Sequence, residues 1–484
     1  MAALILAARG VPVTVIEKAD TPGGKMRQAA VGAALIDAGP TVFTMRWVFE
    51  EIFAAAGTTL SDHVQLTPLQ VLARHAWNAD ERLDLFADVA RSADAIGTFA
   101  GAAEARGYLR FCKRARRVYE LLEQPFIRQP EPRMDSLVFS VGLRFGGLWD
   151  IAPFTTMWNA LGEYFQDPRL RQLFARYATY CGSSPFLAPA TLMLVAHVEQ
   201  EGVWSIDGGM YRLAEALTRV AVDCGATIRY GSEVAEITVD AGRASGVRLV
   251  SGERIEADAI IANTDAAAIA GGLLGAGAAR SVPAPRGMAR SLSAVTWAVQ
   301  ARASDFPLAR HNVFFSRDYP AEFDDLLAGA LPAEPTVYVC AQDRTETPVA
   351  ATEGPERLLY LVNAPANGDG HPYATEEIEA CEERAHAVMR RCGLRIDSRT
   401  AIKRATTPAE FHRLFPGTGG ALYGPASHGW KASFDRPGCR TRLPGLYLAG
   451  GSVHPGPGVP MAALSGRMAA QALLADLGSR RTFR

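Results

Sequence analysis

The chain has almost no net charge to offer a charged partner: 50 Lys and Arg stand against 51 Asp and Glu, leaving −1 across 484 residues. The absence of a basic excess or an acidic block excludes a nucleic-acid binder and a disordered acidic chain. Cysteine is scarce and scattered. The seven residues Cys112, Cys181, Cys224, Cys340, Cys381, Cys392 and Cys439 are odd in number and never spaced as Cys-x-x-Cys. That pattern argues against a disulfide framework or a structural zinc site and makes a reducing, intracellular compartment the default. The nine histidines form no His-x-x-x-His pair, so no metal is expected. Long apolar runs are also missing. A spanning helix needs about 20 predominantly apolar residues; residues 266–280 are mostly Ala and Gly, and Leu137 to Trp158 is interrupted by Arg144, Asp150 and Pro153.

What is present is a globular composition: 48% hydrophobic residues, 45 Gly and 29 Pro, a chain rich in tight turns and close backbone approaches. At about 150 residues per domain, the length gives roughly three domains' worth of core, enough to enclose a deep site. The stretch from Leu137 to Trp158, with Phe139, Phe145, Trp149 and Phe154, is rich in large apolar side chains. It reads either as a buried or lid-like helix or as a membrane-contact, lipid-entry surface.

The opening Ala2 to Arg9 is full of helix formers and is stopped by Gly10. Val11-Pro12-Val13-Thr14-Val15-Ile16 follows as a β-branched strand, with Glu17 at its tip. Helix, turn, strand and acid form the second half of a dinucleotide-binding β-α-β unit, whose beginning is missing. Glu17 is thereby a candidate for the hydroxyls of an adenosine ribose. Turn-forming Pro22-Gly23-Gly24-Lys25 and Asp37-Ala38-Gly39-Pro40-Thr41 come next, the glycine pair allowing close backbone approach and Lys25 adding positive charge.

Residues 61–204 read as a largely helical insert, and a second helix-to-strand unit runs from Gly208-Gly209-Met210 through Leu213 to Cys224 into strands at 227–230, 232–239 and 246–250. From 266 to 429 strand-like runs at 293–299, 336–341 and 358–362 alternate with a strong helix at 375–391, a mixed α/β substrate domain. The densest signal is the C-terminal strand, the turn Gly450-Gly451-Ser452-Val453-His454-Pro455-Gly456-Pro457-Gly458, and a small-residue helix. Such a turn brings backbone N–H groups and a positive helix end against a ligand.

These motifs together resemble the bacterial phytoene-desaturase family of carotenoid oxidoreductases. Lys25-Met26-Arg27, Gly39 to Arg46 and Pro460-Met461-Ala462-Ala463 are most similar to its hydroxyneurosporene/methoxyneurosporene (1-hydroxycarotenoid 3,4-) desaturase branch. The resemblance covers essentially the whole chain; its terminal motif is specific and its glycine pairs alone are not. It implies an α/β fold in which a Rossmann-like FAD-binding domain (1–60, 205–265 and 430–484) is interleaved with the helical insert (61–204) and the substrate domain (266–429). It places Glu17 on the ribose, Gly23, Gly24 and Lys25 beside the diphosphate and flavin, Thr41 near the isoalloxazine and Val234 at the adenine. Gly451, Ser452, Val459 and Met461 would line the flavin's pyrimidine end.

Val453 and Pro457 depart from the family signature. So does the front, where a strand and a Gly-x-Gly-x-x-Gly turn are expected. Met1 is therefore read as a misassigned start, the alternative being a truncated, flavin-poor carotenoid-binding protein.

The implied activity is FAD-dependent desaturation of an acyclic carotenoid near a hydroxylated or methoxylated end. Desaturation of phytoene itself, isomerisation and amine oxidation are alternatives on the same scaffold. His454 is the leading candidate for the proton acceptor, ahead of Asp37 and Glu201. The partners implied are a lipophilic carotenoid, the inner or photosynthetic membrane as a peripheral attachment site, and a quinone or oxygen as electron acceptor.

Overall fold

The computed structural model of the chain describes residues 1–131, 154–283, 288–344, 354–432 and 434–482. Its first helix, Ala2–Ala7, buries Leu4, Ile5, Leu6 and Ala7 and gives way at Gly10, whose φ of +73° suits glycine. The strand Thr14–Ile16 then runs parallel to Thr227–Arg229, Thr14 opposite Thr227 and Ile16 opposite Arg229. The helix Tyr211–Asp223 leads into that second strand. Its Leu213, Ala214, Ala216, Leu217, Val220 and Ala221 recur at helical spacing and face the core. A second parallel pair joins Ile260–Ala262 to Leu446–Leu448, and the long helix Val459–Thr482 follows it. Gly466 lets that helix approach the first closely: a Cβ there would lie 3.5 Å from the Ala2 nitrogen. Val234–Asp240, Arg243–Leu249 and Arg254–Glu256 form a separate antiparallel sheet.

The largest sheet has seven strands, in the order Ile402–Thr406, Ser293–Ala301, Glu356–Ala364, Val337–Ala341, His311–Phe314, Val71–Ala76 and Arg82–Phe86. It is antiparallel except where His311–Phe314 meets Val71–Ala76. Ser293–Ala301 and Val337–Ala341 are buried almost throughout, which is why they read as near-continuous apolar runs. One face is covered by the helix Thr375–Arg391 through Ile378, Cys381, Ala385, Val388 and Met389. Glu376 and Glu377 in its first turn and Arg390 and Arg391 in its last complement the helix dipole.

The stretch 61–204 differs from the expectation of a largely helical insert, because Val71–Ala76 and Arg82–Phe86 extend the large sheet. Arg82–Phe86 is the edge strand and Val71–Ala76 lies next to it; both carry polar side chains, with Arg74 bonded across the ladder to Asp84 at 2.7 Å, so their pattern lacks the apolar run of a central strand. Beyond them the region is helical: Val89–Ala100, Ala102–Leu122, Pro168–Ala175 and Leu194–Gln200, with shorter turns between. Of the apolar stretch Leu137 to Trp158, residues 137–153 lie outside the described residues. No helix among the described residues is long and apolar enough to cross a membrane.

Candidate functional site

Two glycine turns, one from each end of the chain, flank the interior of the protein. At the front, Glu17 caps the tip of Thr14–Ile16. Its Oε1 accepts from the Ala19 N–H at 2.8 Å and its carbonyl from the Ser232 N–H at 2.9 Å. The structure thus brings Glu17 beside the segment 231–234, where half-buried Val234 opens the antiparallel sheet. Gly23 (φ +106°) is closed in, since a Cβ would meet the Met26 carbonyl oxygen at 2.2 Å; Gly24 (φ +59°) faces open space. Gly39 crosses the same loop so tightly that a Cβ would fall 1.9 Å from the Lys25 carbonyl oxygen. The Lys25 ammonium reaches inward and donates to the Leu422 carbonyl at 2.7 Å. Burial pulls its pKa down, and Asp265 opposes that shift.

Asp37 and Glu201 are engaged in separate parts of the fold. Buried Asp37 caps the helix at 211: its Oδ2 accepts from the Met210 N–H at 2.6 Å, and a Cβ on Gly209 would sit 2.2 Å from that oxygen. Burial raises its pKa, and the backbone bonds at Met210 and Tyr211 hold it back. Glu201 is on the surface, 3.4 Å from His197.

At the other end, the Gly450 N–H donates to Ser465 Oγ at 3.2 Å and the Asn263 amide to the Ala449 carbonyl at 3.0 Å, tying the turn to both parallel strands. Ser452 Oγ accepts from the Ala266 N–H, and Gly424 packs so closely on Ser452 that a Cβ would lie 2.7 Å from its Cβ. Gly451 is open on the side a Cβ would take, with Pro457 at 3.8 Å the nearest neighbour. Val459 and Met461, both half-buried, start the long helix. His454 is 1% exposed; its Nε2–H donates to the Phe126 carbonyl at 2.9 Å and its ring stands edge-on to Phe126. Burial lowers its pKa to about 4 against the backbone bonds at Phe126 and Gln129, so the ring is neutral at pH 7, and its Nδ1 has no partner among the described residues.

Between these turns lies a set of residues that sequence reasoning missed. Arg436, 3% exposed, donates to the carbonyls of Tyr423, Gly451 and Pro425 at 3.2, 3.1 and 2.6 Å and so fastens the segment 423–425 to the C-terminal turn. Thr41 Oγ1 is 2.6 Å from the Tyr338 hydroxyl, which is 2.7 Å from His311 Nδ1, a continuous hydrogen-bonded chain. The Arg176 guanidinium lies 5.4 Å from the ring centres of both Tyr180 and Tyr338. Arg176, Tyr180, Cys181 and Tyr423 lie deep in the protein yet each keeps part of its surface accessible, as the walls of a recess would. Trp158, Phe186 and Tyr319 stack nearby, their ring centres 4.8 to 6.2 Å apart. No spacing in the sequence links Arg176 to Tyr338 or His311, because only the sheet brings them together.

The family described as flavin containing amine oxidoreductase matches residues 1–474. The chain belongs to this family of flavin oxidoreductases. It is 58% identical over 480 residues to the hydroxyneurosporene desaturase of Rubrivivax gelatinosus, covering 99% of this chain and 91% of that protein. It is 44% identical to the hydroxyneurosporene desaturase of Cereibacter sphaeroides, over 99% and 96% of the two chains. Among solved structures, an oxidoreductase from Methanosarcina mazei shares the fold with a TM-score of 0.62 at 16% identity, over 98% of each chain. A putrescine oxidase variant shares it with a TM-score of 0.60 at 13% identity, over 99% of this chain and 96% of that one.

The residues present fit a flavin in this oxidoreductase. Gly24 and Gly451 leave open space where a Cβ would stand, and the long helix starting at Val459 turns its N-terminus to the same loop. Lys25 and Arg436 supply embedded positive charge along it.

Proposed function

We propose that this flavoprotein desaturates an acyclic carotenoid in carotenoid biosynthesis, introducing one C–C double bond near a hydroxylated or methoxylated end. The observation that carries the reading is the 58% identity, over nearly the whole chain, to a hydroxyneurosporene desaturase. When bound, FAD supplies the two-electron acceptance that oxidation of a CH–CH unit requires. In this proposal Glu17 and Val234 hold the adenosine and Gly23, Gly24 and Lys25 the diphosphate. Thr41, Gly451, Ser452, Val459 and Met461 surround the isoalloxazine, with residues 1–60, 205–265 and 430–484 forming the cofactor domain.

The chain's own work is to hold a long apolar substrate, exclude water and take up a proton. Trp158, Phe186 and Tyr319 give the internal space an aromatic wall. His454 is assigned as proton acceptor: its Nε2–H is occupied by Phe126, which leaves the Nδ1 lone pair bare. A weak base suffices there, because a C–H beside a carbon that is losing hydride is strongly acidic. Asp37 has no such capacity free, its Oδ2 being engaged by the Met210 N–H.

The substrate dissolves only in lipid, and a surface patch suits peripheral attachment to the inner or photosynthetic membrane. Phe154 is 79% exposed and meets Trp430, Leu187 is 40% exposed, and Lys431 lies over the Trp430 ring. Oxygen or a membrane quinone would serve as the final electron acceptor. The test is turnover on liposomes: flavin-loaded protein should float with the vesicles and shift the absorption of a 1-hydroxylated acyclic carotenoid to longer wavelength. Flavin-loaded protein that leaves this spectrum unchanged would refute the reading.

A further inference from the structure

Three buried polar atoms without a partner among the described residues gather around Arg176: the Tyr319 hydroxyl, Glu322 Oε1 and His311 Nε2. All three residues are within electrostatic reach of its guanidinium. Native interiors leave few such atoms, each costing its desolvation, so a cluster beside an internal space marks a place where a polar group belongs. Arg176 itself makes no ion pair among the described residues; its neighbours are tyrosine faces at 5.4 Å and the Tyr180 hydroxyl. On its other side Tyr319 packs against Trp158, Phe186 and Phe323.

We propose that Arg176 and Tyr319 form the subsite for the oxygen at one end of an otherwise apolar polyene, and so determine specificity for the oxygenated substrate. The proposal rests on the desaturase reading above. An N–H of the guanidinium donates to a lone pair of an alcohol or ether oxygen, and the unpartnered Tyr319 hydroxyl supplies the second bond. An anionic ligand is disfavoured, because Glu199 and Glu322 already lie within electrostatic reach of the guanidinium. A hydrocarbon end would leave the cation facing CH groups, with the Tyr180 hydroxyl alone among the described residues to satisfy its five N–H donors. A site built to bind an oxygen rejects the analogue that lacks it for this reason.

The experiment compares two acyclic carotenoids of equal length in neutral phospholipid vesicles, one with a terminal tertiary hydroxyl and one without. The ratio of their kcat/KM values is read for flavin-loaded wild type, Arg176→Gln and Tyr319→Phe. Tryptophan fluorescence quenching reports binding of each polyene independently of turnover. The expected result is that the ratio of hydroxylated to unoxygenated substrate falls about 10- to 100-fold in Arg176→Gln and about 5-fold in Tyr319→Phe, mainly through KM. Quenching by the hydroxylated polyene should move to higher concentration in parallel.

A ratio that stays at the wild-type value in both variants, with the two substrates losing activity together, overturns the subsite. Should Arg176→Gln lose its fold, Tyr319→Phe decides alone, since it removes only a hydroxyl that nothing among the described residues uses. Wild-type protein that holds flavin yet converts neither polyene sinks the desaturase reading instead. The quenching titration then still decides whether Arg176 and Tyr319 select the oxygen.

Discussion

Two interior arginines are handled in opposite ways. Arg344, 8% exposed at the end of Val337–Ala341, meets Glu356, 1% exposed at the start of the neighbouring strand, through two bonds of 2.8 Å. The pairing is bidentate and closed, and it sits just beyond the last paired residues of the ladder, Ala341 and Leu358. Arg176 lies deep in the protein against an internal space, with no ion pair among the described residues and three unpartnered polar atoms around it. A closed pair belongs to the architecture of the sheet. An open cation with unsatisfied neighbours lowers stability and is retained where a ligand completes it.

The largest expected effect tests the closed side. Arg344→Met leaves the Glu356 carboxylate buried alone and should cost about 3 kcal/mol in urea unfolding. The double variant Arg344→Met/Glu356→Leu should recover most of that loss; a single variant as stable as wild type would break the comparison. Arg436 is closed by three carbonyls, one of Gly451 itself and two in the segment 423–425 that packs on Ser452. Arg436→Met should cost about 2 kcal/mol and release flavin on gel filtration, read from the absorbance of the protein peak.

The pH dependence separates the two regions further. Burial first, then Arg176, holds the His75 pKa down at about 3 from an ordinary 6.5. Between pH 6.5 and 3 the unfolded chain binds a proton that the folded chain refuses, so this histidine makes stability fall as pH drops through that window. His75→Phe should remove about 2 kcal/mol of the loss between pH 7 and pH 5, seen as a smaller shift in Tm than in wild type. Glu322 works in the opposite sense. Its pKa is raised to about 7 by burial, so its contribution weakens as pH climbs from 4.5 towards 7. The smallest effect is on the surface. Arg229 and Glu253 are as well aligned as the buried pair, at 2.7 Å for both bonds, yet solvent screens them. Glu253→Gln should leave Tm within error; a marked drop would mean that alignment, rather than burial, makes the Arg344 pair matter.

Much of the fold was legible because local chemistry and tertiary demand agree. The helix at 375–391 combines an apolar stripe with acids at its start and bases at its end, and it forms over those residues. The buried strands at 293–301 and 356–364 advertised themselves as apolar runs because both of their faces are covered. The strands at 71–76 and 82–86 did not, since at the margin of the sheet Arg74 and Asp84 pair across the ladder in place of apolar residues. The turns were legible for a different reason. Gly23, Gly39 and Gly209 sit where a Cβ would overlap backbone or carboxylate oxygen, and a glycine cluster in sequence already signals such an approach.

The sequence by itself therefore determined the elements, the glycine turns and the resemblance to a carotenoid oxidoreductase, all properties of residues close in the chain. It could not determine what surrounds Arg176. Tyr338 and His311 come from adjacent strands of a sheet, Tyr319 from the helix that follows, and Arg176 from a turn more than a hundred residues earlier. Whether a buried charge is closed, as at Arg344, or left open, as at Arg176, depends on which side chains the packed fold sets opposite it. That relation exists only once the sheet and the helices have assembled.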